Sequence, residues 1–155
     1  MTEPVDAAGR KLKSRVALRL GRMVMEFSRL EMELGLALYG SARKDGRDEM
    51  AYQLRRADFS ARLAMLRRHL GAHPQPDYSA WARDADAARR LRNRLIHGRW
   101  DFRDPDSVEV TNVRGDPFAS DVTEVTTTLA ELDGQLEQLK ALRRRLAALR
   151  KSSPL

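Results

Sequence analysis

Cysteine is absent from the chain, which excludes disulfides and every thiolate-based metal site. Aromatic residues are scarce, at 6% of 155 positions. Alanine, leucine and arginine abound instead, a bias that favours helix over sheet. No uninterrupted apolar run approaches membrane-spanning length, because Arg15, Arg19 and Arg22 interrupt the best N-terminal candidate. Neither a signal peptide nor a membrane partner is therefore expected, and a cytoplasmic setting agrees with the lack of cysteine. Also missing are a glycine-rich phosphate loop, a nucleophilic serine elbow, internal repeats and low-complexity tracts. Most enzyme classes are thereby left without support. A chain of this length suits one domain spanning residues 1–155, with flexible tails at about 1–8 and 152–155.

Charge is plentiful and one-sided. The formal net charge is +7 and the isoelectric point about 10.3, with 24 arginines against 5 lysines. Genome composition alone can produce an arginine bias, so the local clustering is more informative. Between positions 83 and 103, Arg83, Arg89, Arg90, Arg92, Arg94, Arg99 and Arg103 face only Asp84, Asp86 and Asp101. Such an excess suits a phosphate backbone such as that of RNA.

Periodicity predicts a mainly α-helical fold. It is a small bundle of about four helices, with a short β-hairpin between the third and last. Val16, Leu20, Met23, Phe27, Leu30, Leu34 and Leu38 step by three and four residues along a first helix, which Gly40 and Ser41 are expected to stop near Tyr39. A second helical segment carries Leu54, Phe59, Leu63, Leu66 and Leu70 and is expected to end at Gly71, with a break near Asp58 left open. Pro74 and Pro76 read as a rigid connector before a third helix starting near Tyr78 or Ser79, with Trp81, Ala85, Ala88, Leu91 and Leu95 on its buried face. Trp100, Phe102, Val108, Val110 and Val113 alternate with polar residues as strands do, and Asp121 to Thr126 can add another extended piece. Thr128 and Glu131 fit a capping box ahead of the leucine stripe 129, 132, 136, 139, 142, 146 and 149. That stripe is too short and irregular for a coiled coil, so packing within the bundle is the favoured reading.

The third helix ends in Leu91-Arg92-Asn93-Arg94-Leu95-Ile96-His97-Gly98-Arg99-Trp100. Arginines precede the other histidines at comparable spacings, Arg68 before His73 and Arg62 before His69. His97 is singled out by its context: Asn93 beside Arg92, apolar anchors at 91, 95 and 96, and a glycine and an aromatic directly after. This stretch resembles the motif of the HEPN superfamily, an arginine followed by a polar residue and, after four to six positions, a histidine. The resemblance implies a helical domain, and for many members a dimeric endoribonuclease that needs no metal or other cofactor. It extends to the helical layout but not to the hairpin. One toxin-like variant of the superfamily carries a tyrosine two residues after the histidine. Arg99 stands at that position here, so regulation through such a tyrosine is not expected.

The chemistry is simple to assign. RNA brings its own nucleophile, the 2′-hydroxyl. A base and an acid must move protons, and a cation must stabilise charge developing on phosphorus. An imidazole, with an ordinary pKa of about 6.5, can be either proton carrier, which makes His97 the candidate. Arg92 suits the non-bridging phosphate oxygens, and Asn93 can orient the imidazole or bind the phosphate. Arg89, Arg94, Arg99 and Arg103 are the expected RNA-binding residues. Glu31, at the edge of the first helix's apolar stripe, is a candidate supporting carboxylate for Arg92, with a solvated surface pair as the plainer alternative.

On an ideal helix Arg92 and His97 lie roughly 140° apart, so they converge through arginine's reach, an unwound last turn or a second subunit. A symmetric homodimer would also supply the missing second imidazole. A toxin or phage-defence effector held quiet by an antitoxin or other regulatory protein is the implied setting. The alternative is a non-catalytic helical module that binds RNA or a protein through its basic face. His69 and His73 share a four-residue spacing that metal pairs use, but Gly71 and Pro74 argue against one continuous helix holding them, and no metal is expected.

Overall fold

A computed structural model of the chain describes residues 7–102, 107–113 and 122–155. Their order is α1 (Ala7–Lys44), α2 (Asp48–Leu54), α3 (Phe59–Ala72), α4 (Pro76–His97), β1 (Arg99–Asp101), β2 (Ser107–Val113), β3 (Val122–Thr128) and α5 (Leu129–Ser152). The protein is mainly helical, with a small antiparallel sheet between α4 and α5, as the periodicity predicts. No helix among the described residues is long and apolar enough to cross a membrane.

The first helix outruns its predicted stop. Gly40 and Ser41 lie inside α1, and buried Ala42 carries the apolar face one turn further. Gly46 ends the helix. Its φ of +69° is one that a side chain resists, and the chain reverses there through Arg47 N–H donating to Ala42 O at 2.8 Å and Gly46 N–H to Arg43 O at 3.2 Å. These two bonds form a Schellman closure, which satisfies carbonyls that the helix end would otherwise strand. At its other end α1 begins at Ala7, inside the stretch expected as a tail.

The second segment does break near Asp58. Its carboxylate accepts from Ala61 N–H at 2.8 Å and caps α3, while α2 stops at Leu54. Gly71 does not end α3: the helix continues to Ala72, and His73 N–H donates to His69 O at 2.9 Å. Pro76 belongs to α4 and opens it, two residues before the predicted start. A first-turn proline loses no hydrogen bond, because its missing N–H would have had no partner inside the helix. The last residues, expected as a loose tail, line a cavity of about 220 Å³ where Pro154 and Leu155 meet Leu36, Ala37 and Gly40 of α1.

The described residues divide into two compact units. The first takes in the chain up to Val24 and Arg90 to Glu137; its buried residues include Leu12, Val16, Met23, Leu95, Val108, Val110, Leu132 and Leu136. Strands run β1-β2-β3, with Trp100 opposite Val110 and Val110 opposite Val125, so one face of β2 buries Val108 and Val110. β3 passes directly into α5 through the predicted capping box. Thr128 N–H donates to Glu131 Oε2 at 2.7 Å, and Glu131 N–H returns a bond to Thr128 Oγ1 at 3.2 Å.

The second unit comprises Met25 to Arg89 and Gln138 to Leu155. Its core joins Phe27, Leu30, Leu34 and Leu38 of α1, Leu63 and Leu66 of α3, Tyr78, Trp81 and Ala85 of α4, and Leu139, Leu142 and Leu146 of α5. The Trp81 indole donates to Leu142 O at 2.9 Å, which fixes α4 against α5 inside the core. The leucine stripe of α5 is thus spent within the chain.

Candidate functional site

The motif occupies the last turns of α4, in the first unit. Leu95 is buried and Leu91 and Ile96 half-buried, which anchors the turn. His97 is the last residue of the helix, and the chain bends at Gly98 into β1. Trp100 then folds back, its Nε1–H donating to Leu95 O at 2.8 Å. This bond occupies one of the terminal carbonyls that a helix end leaves open and fixes β1 against the end of α4. Phe102 stacks beside Trp100, with ring centres 6.5 Å apart.

Within this frame the polar motif residues separate into two groups. Arg92 and Asn93 are half-buried and joined, Arg92 Nη1 donating to Asn93 Oδ1 at 3.0 Å. The amide thus orients the guanidinium. His97, Arg94 and Arg99 are exposed, the histidine in the last turn of α4. The arrangement offers a held guanidinium and an accessible imidazole on one helix end, with two further cations nearby in sequence. These are the groups that phosphoester chemistry uses.

The other predicted residues are placed differently. Arg89 lies in the second unit and is committed to Asp86, its Nε donating to Oδ1 at 2.9 Å, while Arg67 holds the second oxygen at 3.3 Å. The two cations offset the cost of burying the Asp86 carboxylate. Arg103 lies outside the described residues. Glu31 is also in the second unit, where its backbone carbonyl accepts from Arg62 Nη1 at 2.7 Å.

Two carboxylates of α1 do pair with an arginine of another helix, Glu26 and Glu33. Glu26 is 7% exposed and bound by Arg29 at 2.6 Å and Arg143 of α5 at 3.2 Å, with Glu33 also reaching Arg143 at 3.4 Å. The sequence held a signal for it: Glu26 directly precedes the core residue Phe27, one turn after Met23. The chain matches no family model, no curated protein and no solved structure.

Proposed function

We propose that the end of α4 is the active site of a metal-independent endoribonuclease of HEPN type, completed when two copies associate. The supporting observation is the hydrogen bond between Arg92 and Asn93, which pre-orients a guanidinium on the helix whose last residue is the exposed His97. Neutral His97 takes the proton of the 2′-hydroxyl as its oxygen attacks phosphorus. The bond from phosphorus to the 5′-oxygen breaks, and His97 of the partner subunit, as imidazolium, protonates the leaving oxygen. Arg92 binds the non-bridging oxygens where charge accumulates, and the products are a 2′,3′-cyclic phosphate and a 5′-hydroxyl. Arg94 and Arg99 track the backbone on either side. A toxin or phage-defence role restrained by a partner protein fits such an activity.

The test is cleavage of an end-labelled structured RNA in excess EDTA by wild type, His97→Ala and Arg92→Ala, each checked for unchanged helicity and association. Wild type is expected to leave cyclic-phosphate ends, and either substitution to slow cleavage by about 100-fold or more. Equal inertness or equal activity of all three proteins overturns the reading, and so does a stable monomer that cuts as fast as the dimer. Salt-sensitive RNA binding without cleavage would instead support the non-catalytic RNA-binding module.

A further inference from the structure

Two of the chain's three histidines meet elsewhere, entirely within the second unit. His69, in the last turn of α3, and His73, which caps it, bring their rings to 5.1 Å between centres. They line a cavity of about 730 Å³ with Arg47, Arg68, Met50 and Met65. That volume lies within the roughly 300–1,000 Å³ of small-molecule sites. His69 is only 8% exposed, and its Nδ1 lies 3.5 Å from Arg47 Nη2. An arginine can only donate, so Nδ1 accepts and Nε2 carries the imidazole proton.

The balance of donors and acceptors decides what the cavity can hold. Of the nearby acidic groups, Asp48 is paired by Arg43 and Asp45 by Arg47 at 2.6 Å, while Glu49 accepts from the neutral Gln53 amide at 3.1 Å and keeps its charge. Arg47 Nε is buried with no hydrogen-bond partner among the described residues. The Arg68 guanidinium and the two imidazoles line the same cavity, so cationic and N–H groups outnumber its one carboxylate without a cation partner among the described residues, Glu49. A divalent cation would be repelled by the guanidinium against His69, and no group of three or more metal-binding side chains occurs among the described residues.

We infer that this cavity binds a small phosphate monoester, its phosphoryl group held by Arg47, Arg68, His69 and His73 and its apolar body lying against Met50 and Met65. A tetrahedral dianion accepts from more donors at once than a carboxylate does, and charge-assisted bonds from guanidinium are the strong ones. Burial first, then Arg47 and His73, lower the His69 pKa below its ordinary value, while Asp45 acts the other way. A dianion reverses the sign of that field, so His69 takes up a proton on binding. Affinity therefore rises as pH falls from 8 to 6, until the phosphate's own second proton, with a pKa of about 6, opposes it. The site is separate from the end of α4 and does not depend on its being a nuclease.

Phenyl phosphate, with benzoate and zinc as contrasting probes, tests this by calorimetry and by NMR of the three imidazoles. Phenyl phosphate should shift the His69 and His73 ring signals but not those of His97. It should also bind more tightly at pH 6.5 than at pH 8 and more tightly than benzoate. Exposed Arg68→Gln and His73→Gln should each weaken it about tenfold, the loss of one charge-assisted bond. His97→Ala should bind as wild type does, even where it abolishes RNA cleavage. The inference is overturned if neither ring responds, if Arg68→Gln binds unchanged, if benzoate binds as well, or if zinc alone perturbs the pair.

Discussion

Single residues carry conflicts that helical periodicity does not express. Tyr78 sits on the apolar face of α4 with no exposed surface, and its hydroxyl has no hydrogen-bond partner among the described residues. A buried hydroxyl without a partner costs about 1–3 kcal/mol relative to water. Tyr78→Phe removes the hydroxyl and keeps the ring, so it should leave the thermal midpoint unchanged or raise it. A lowered midpoint would reveal a partner that the phenol needs. Burial also pushes the Tyr78 phenol pKa up, against a smaller opposing effect of Arg150. The folded state then binds this proton more tightly than the unfolded state, so the contribution is full below about pH 10 and is lost as pH rises through the folded value. Stability of Tyr78→Phe should therefore fall less steeply above pH 10 than that of wild type, as measured by urea unfolding. The sequence marked position 78 only as a helix start. Periodicity gives a side chain's direction but not whether a hydrogen-bond partner lies there. The same gap explains why Glu26 was less visible than Glu31, since their difference is set by Arg143, 117 positions away.

At the scale of elements, the stripes and caps were legible because their causes are local. The α5 leucines, the Thr128–Glu131 box and the strand alternation each need only neighbours within a few residues. Helix ends were less legible where two glycines competed. Gly40 and Gly46 both suit a stop, and Gly40 comes first after the apolar stripe; burial of Ala42 beyond it keeps the helix going, and Gly46 adopts the left-handed cap. The two positions should therefore respond in opposite directions. A Cβ at Gly40 meets nothing within 4 Å inside a continuous helix, so Gly40→Ala should stabilise by about 0.5–1 kcal/mol. Gly46→Ala must hold a φ of +69° with a side chain, and should destabilise by about 1 kcal/mol. Chemical denaturation of the two variants checks the pair. Equal effects of the same sign would mean that the cap at 46 does not end α1. The histidine pair is hard to foresee for a related reason: His73 lies outside α3, as Gly71 and Pro74 suggest, yet its N–H closes onto His69 O and the two rings still meet.

For the whole molecule, the decisive fact is that α1, α4 and α5 each contribute residues to both compact units. A helix propagates cooperatively once nucleated, and ending it in mid-course strands backbone donors and acceptors that no cap serves. Neither unit can then unfold without fraying three helices at points that lack caps, so the chain should lose both in one transition. The sequence supplies a natural test, because it has two tryptophans: Trp100 in the first unit and Trp81 in the second. In a Trp81→Phe protein fluorescence reports the first unit, and in a Trp100→Phe protein the second. Leu132, fully buried in the first unit, is the perturbation; truncating such a leucine to alanine costs about 2–5 kcal/mol. Leu132→Ala is expected to lower the urea midpoint by the same amount in both single-tryptophan backgrounds, although Trp81 belongs to the other unit. Comparing each background with its own parent cancels the separate cost of losing the Trp81 bond to Leu142. If the Trp100 signal moves and the Trp81 signal does not, the shared helices do not couple the units. The second unit, with its histidine cavity, would then be a domain that stands without the end of α4.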